Sequence, residues 1–133
     1  IQSHSTSGAN TFAQYGALAA LDGPKQSIEE MRAVFQHRRD LIVAGLKDIP
    51  GLTCGTPHGA FYAFPNMQAT GLDSMSFCER LLEEEHVAAV PGVAFGADGN
   101  VRFSYATDAE TIREGLHRLR RFVAKILDEA SRA

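Results

Sequence analysis

Arg102 is the side chain whose type and setting point most directly to chemistry. It stands in Val101-Arg102-Phe103-Ser104-Tyr105-Ala106, where apolar and polar residues alternate. A period of two predicts a strand with Val101, Phe103 and Tyr105 on one face and Arg102 and Ser104 on the other. If the apolar face meets a core, the guanidinium projects from a stiff element toward whatever docks opposite. Its planar fork can then give two parallel hydrogen bonds to a carboxylate. The competing reading of the same pattern is an exposed strand arginine paired with a surface acid.

Two other stretches could bring backbone close to a ligand. Gly59-Ala60-Phe61-Tyr62 follows Pro57-His58, so a glycine heads a strand that carries a phenolic tip. Ordinary strand entry with core aromatics is the default reading of this stretch. Pro91-Gly92-Val93-Ala94-Phe95-Gly96 has the glycines of a ligand-approaching loop but lacks the lysine and helix start of a phosphate cradle. A plain connecting loop is the alternative there. His4, His37, His58, His86 and His117 are scattered, and none is spaced with a second ligand as a metal site requires. No Ser, Cys or Thr sits in a nucleophile-elbow setting. Glu83-Glu84-Glu85 reads as a solvated helix end, and Arg38-Arg39 as a solvated face that could also reach a partner.

The elements that must position these residues follow from periodicity. Asn10 can cap a helix over Thr11–Leu21, stopped by Asp22-Gly23-Pro24, and its Ala and Leu content predicts heavy burial. A second helix runs from about Ser27 to Asp48, with Met31, Val34, Phe35, Leu41, Ile42, Leu46 and Ile49 at the three-four spacing of one face. At roughly 20 residues it would span ~30 Å, enough to bridge two domains. A strand over Gly59–Phe64 follows. Asp73 or Ser74 then opens a helix through about His86, with Phe77, Leu81 and Leu82 on one face. Val87–Val90 is expected as a short buried strand, Val93–Asn100 as a glycine-bearing loop, and Val101–Ala106 as the clearest strand. Thr107-Asp108-Ala109-Glu110 matches a capping box opening a last helix that buries Ile112, Leu116, Leu119, Val123, Ile126 and Leu127. The fold class is α/β, more narrowly a two-layer α+β arrangement. A small mixed or antiparallel sheet has helices packed on one face and is preceded by the long connecting helix.

Composition bounds the rest. The 133 residues are 44% hydrophobic and 22% charged, so the chain can bury a core of one domain's size. A net charge of -3 with scattered basic residues gives no electrostatic ground for a nucleic-acid partner. Nor does any apolar run approach the ~18 residues of a membrane span. Cys54 and Cys78 lack metal-type spacing and are expected as reduced thiols of a cytoplasmic protein. Ile1 is not a natural initiator, and the polar start through Gly8 has no cap or apolar period of its own, which fits a chain cut from a longer one.

Five stretches together resemble the C-terminal region of fold-type I pyridoxal-phosphate-dependent aminotransferases, closest to the bacterial aspartate aminotransferase group. They are Gln2–Ser7 leading into Phe12-Ala13-Gln14 and Ala17–Leu21; Arg38-Arg39-Asp40; Pro57–Tyr62; Val90–Gly96; and Val101–Ala106. Each is weak alone, but their order and separations over Gln2 to about Phe122 are specific. The resemblance implies residues 1–26 as the tail end of a large cofactor domain and residues 27–133 as the small C-terminal domain with its connecting helix. It implies a homodimer acting on amino acids, with aspartate favoured, and on 2-oxo acids. Arg102 matches the family arginine that grips the substrate α-carboxylate. Ser5, Thr6 and Ser7 match a segment near the active site at the dimer interface, without individual roles.

The same resemblance marks a departure. Lys25, Lys47 and Lys125 are the only lysines, and none has the context of the family's cofactor-binding lysine. Without that amine the chain alone is expected to be inactive, with no catalytic residue and no metal of its own. Two other readings stay open. One is an aminotransferase-like sensor domain of a transcriptional regulator, which a winged-helix segment upstream would mark. The other is a stand-alone ligand-binding domain.

Overall fold

The computed structural model describes residues 1–132 and divides into two compact units, Ile1–Ala33 and Val34–Ala133. The first unit holds a short helix α1 (Gln2–Thr6) and a helix α2 (Thr11–Asp22). Asn10 caps α2 as expected, its Oδ1 accepting from the amides of Phe12 at 3.1 Å and Ala13 at 3.4 Å. The expectation of heavy burial is overturned. No residue of α2 is buried, and Phe12, Tyr15, Leu18 and Leu21 lie in the open. The Ala-Leu content drives helix formation without burying any residue of the helix.

Helix α3 (Gln26–Lys47) begins in the first unit and continues in the second. Its later turns supply Ile42, Val43 and Leu46 to the core, whereas Met31 and Val34 of the predicted stripe are exposed. Ile49 and Leu52 extend the core past the helix end. Strand β1 (Tyr62–Ala63) is shorter than the predicted Gly59–Phe64, because Ala60 takes a positive φ of 57° and breaks the extended run. Helix α4 (Ser74–Glu85) is capped by Asp73. It buries Phe77, Cys78 and Leu81, but Leu82 points outward and does not share their face.

Strand β2 (Val90–Pro91) lies later than the predicted Val87–Val90. His86 ends α4 in the left-handed conformation, and the Val87 amide donates to Leu81 O at 3.4 Å. Residue 87 is thereby committed to the helix terminus, not to a strand. A 3-10 turn over Gly92–Phe95 leads to strand β3 (Val101–Ser104) and then to helix α5 (Ala109–Ser131). The cap of α5 is Asp108, whose Oδ1 accepts from the Thr111 amide at 2.8 Å. The predicted Thr107–Glu110 capping box therefore sits one residue too early. Leu116 and Leu127 of the predicted stripe pack at the edge of the core, and Phe122 is fully buried in addition.

The three strands form one antiparallel sheet in the order β1-β3-β2, which resolves the mixed-or-antiparallel expectation. Ala63, Val101 and Phe103 face a core shared with α3, α4 and α5, in which Phe77 and Phe122 meet edge to face at 5.2 Å. That is the two-layer α+β arrangement expected from the sequence. No helix among the described residues is long and apolar enough to cross a membrane.

Candidate functional site around Arg102

The burial of β3 alternates as the sequence pattern requires. Val101 and Phe103 are buried, Arg102 is half-buried and Ser104 is exposed. Tyr62 of β1 pairs with Ser104, so Tyr62 stands on the same face as Arg102 and diagonal to it. The guanidinium carbon of Arg102 lies 4.2 Å from the Tyr62 ring centroid and 4.7 Å from that of Phe95. Both rings are within the range where an aromatic quadrupole attracts a cation. Phe95 in turn meets Phe64 edge to face, with centroids 5.9 Å apart at 89°.

No carboxylate among the described residues pairs with Arg102, although most other arginines of the second unit are engaged. Arg80 pairs with Glu84 and Glu129, Arg118 with Glu114, Arg120 with Asp48, and Arg121 with Glu85. The surface-acid alternative raised by the sequence pattern is thus not realised here. An arginine steadied by two rings and lacking an anionic partner has its forked donors available for a ligand carboxylate.

The two loops singled out in the sequence converge on this place. The stretch around Gly59 supplies Tyr62, and its backbone is tied down by Tyr105, whose Oη donates to Ala60 O at 3.1 Å and whose amide donates to Phe61 O at 2.9 Å. Burial pushes the Tyr105 phenol up from its ordinary value. The stretch from Pro91 to Gly96 supplies Phe95. Gly92 is needed there because a Cβ would come within 2.1 Å of Ala97 O and 2.2 Å of Asn100 O. Sequence reasoning marked the loop but not Phe95, since a loop aromatic carries no periodicity. Only the register of β2 against β3 places it beside Arg102.

Other candidates lie elsewhere or do other work. Arg38 sits 5.5 Å over the Phe35 ring, and Arg39 pairs with Asp40 at 2.7 Å. All five histidines are exposed. Ser5, Thr6 and Ser7 are exposed in the first unit, where Thr6 Oγ1 donates to Gln2 O at 3.0 Å and Ser7 has a φ of 55°. Both cysteines are free. Burial pushes the Cys78 thiol up to about 11 and raises that of Cys54, so neither is a ready nucleophile. A groove of about 960 Å³ opens between α3, β3 and the start of α5, lined by Ile42, Leu46, Phe103, Ile112 and Leu116 among others. It lies on the Phe103 side of β3, and Arg102 does not line it. Arg113 lines this groove and also lacks an acid partner among the described residues, but it is exposed, whereas Arg102 is half-buried against two aromatic rings.

The three lysines do not fit an anchoring role for a carbonyl-bearing cofactor. Lys25 and Lys47 are exposed at helix ends, and Lys125 is held by Glu84 at 2.9 Å and Glu129 at 3.9 Å.

The chain is similar to known proteins over nearly its whole length. The aspartate aminotransferase of Bacillus subtilis (strain 168) is 50% identical over 130 residues, covering 94% of this chain and 33% of the relative. The crystal structure of the aspartate aminotransferase from Rhizobium meliloti superposes with a TM-score of 0.81 at 39% identity, over 96% of this chain and 33% of that one. The aromatic aminotransferase from Pyrococcus horikoshii OT3 gives 0.81 at 43% identity, over 86% and 32%. The chain spans about a third of the length of the relatives it matches. The family model for aminotransferase class I and II matches residues 1–119, and this chain belongs to that family.

Proposed function

We propose that this chain supplies the small, substrate-gripping part of an aminotransferase that moves an amino group between an aspartate-like amino acid and a 2-oxo acid. Residues 27–133 would form the small domain with its connecting helix, and residues 1–26 the tail end of the large domain. Arg102 binds the substrate α-carboxylate, and the single observation behind this role is its guanidinium, steadied by Tyr62 and Phe95 with no acid partner. The cofactor expected for the family is pyridoxal 5'-phosphate. No lysine of this chain suits its attachment, so the groups that hold it belong to the remaining two thirds of a full-length enzyme, which we take to be a cytoplasmic homodimer. A sensor domain of a transcriptional regulator finds no support among the relatives compared above.

What the chain contributes is orientation. A fork donating two hydrogen bonds fixes both the position and the plane of a carboxylate, which places the rest of the substrate. Lysine keeps the charge but not the fork. Arg102→Lys in the full-length enzyme is expected to cut kcat/KM at least ~10-fold, with the thermal midpoint unchanged. A kcat/KM equal to that of the parent enzyme would remove the role from Arg102.

A further inference from the structure

The Phe95 ring is half exposed, at 49%, so burial does not hold it against Arg102. Apart from its edge contact with the Phe64 ring, its position depends on the backbone of the loop between β2 and β3. That loop is closed by its own hydrogen bonds: Gly92 N to Asn100 O at 2.9 Å, Ala97 N to Gly92 O at 3.0 Å, and Asn100 N to Ala97 O at 3.0 Å. One side chain outside the loop ties both of its limbs. Ser74, fully buried at the start of α4, donates from Oγ to Asp98 Oδ1 at 2.5 Å, and the same Oγ accepts from the Val93 amide at 3.1 Å. The Ser74 amide also donates to Asp98 Oδ1, at 3.0 Å. Val93 lies two residues before Phe95 and Asp98 three residues after it.

We propose that Asp98 and Ser74 are positioning residues for Arg102, latching the β2–β3 loop to α4 so that Phe95 stays over the guanidinium. The inference rests on reading Arg102 as the carboxylate anchor. Asp98 is itself exposed and touches no part of the Arg102 site directly, so its effect passes through the loop. Removing its carboxylate leaves the Ser74 hydroxyl free to turn, and both limbs lose their shared tie. A cation that keeps its charge but wanders gives up the geometric part of its hydrogen bonding to a carboxylate.

The test is a double-mutant cycle in the full-length, cofactor-loaded enzyme, reading kcat/KM for an amino-acid substrate. Asp98→Ala is expected to lower kcat/KM by roughly 5-fold, in keeping with the loss of one or two hydrogen bonds. Asp98→Asn keeps an Oδ1 acceptor and is expected to recover most of that loss. In the Arg102→Lys background, where the fork is already gone, Asp98→Ala is expected to change kcat/KM by less than about 2-fold. A full ~5-fold further loss in that background would show a general structural effect and overturn the latch. If Asp98→Ala does not fold, Ser74→Ala takes its place in the cycle. The two readings fail separately. An Arg102→Lys enzyme with parental kcat/KM sinks the carboxylate anchor, whereas a damaged Arg102→Lys enzyme beside an unaffected Asp98→Ala sinks only the latch.

Discussion

Arg102 and Tyr62 stand diagonally across the β1–β3 pair, with the guanidinium carbon 4.2 Å from the ring centroid. The strand register fixes the relationship. Tyr62 is opposite Ser104, and Ser104 is two residues along from Arg102 on the same face. The contact uses the ring and not the hydroxyl, which separates two substitutions at this position. Tyr62→Phe keeps the quadrupole and is expected to hold kcat/KM within about 2-fold of the parent, whereas Tyr62→Ala is expected to lose roughly 3- to 10-fold. Steady-state kinetics on the two full-length variants decides it. Equal losses from both would mean that the phenol, and not the ring, is what the site needs.

The acid limb of the stability profile depends on the helix caps. Asp108 accepts from the Thr111 amide and the Thr111 hydroxyl at the start of α5, and these bonds lower its carboxyl from the usual 3.8 to about 2. The carboxylate form is the one the fold prefers, so the stabilisation is complete above 3.8 and disappears as pH falls through about 2. Asp73 is lowered in the same direction by its bonds from Ser76. Asp108→Ala removes the cap, and its thermal midpoint is expected to lie below the parent's at neutral pH. That gap should narrow steadily as the pH is taken from 5 to 2. A gap that stays constant across this range would show that the ionised cap contributes nothing particular to α5.

Much of this architecture is legible in single residues. The strict alternation through Val101–Ser104 places Arg102 on the open face of β3 because a strand has only two faces to choose from. Asp73 announces α4 because a short acceptor before an apolar period has one obvious use. What is not legible depends on tertiary choices. Thr107 and Asp108 are both acceptable caps, and the chain selects the second. Val87 has strand-like character but its amide is claimed by the end of α4. Phe95 could have been any loop aromatic until the register of β2 against β3 brought Val90 opposite Arg102 and placed the following turn beside it. The sequence points to the Tyr62 hydroxyl, whereas the contact with Arg102 is made by the ring.

The large apolar side chains of α2 lie open to water in the 133-residue chain. Phe12, Tyr15, Leu18 and Leu21 recur at three-residue intervals and are between 55% and 80% exposed, so one short helix offers four large apolar side chains to water. At about 25 cal/mol for each Å² of apolar surface removed from water, covering even part of that surface is favourable enough to draw chains together. The isolated chain is therefore expected to self-associate as its concentration rises, through α2. Phe12→Ser combined with Leu21→Ser should shift sedimentation-velocity profiles toward the monomer and leave the second unit's thermal transition in place, because neither residue belongs to its core. A parent chain that sediments as a monomer at all concentrations, or a double variant that associates as strongly as the parent, would place the driving surface elsewhere or nowhere.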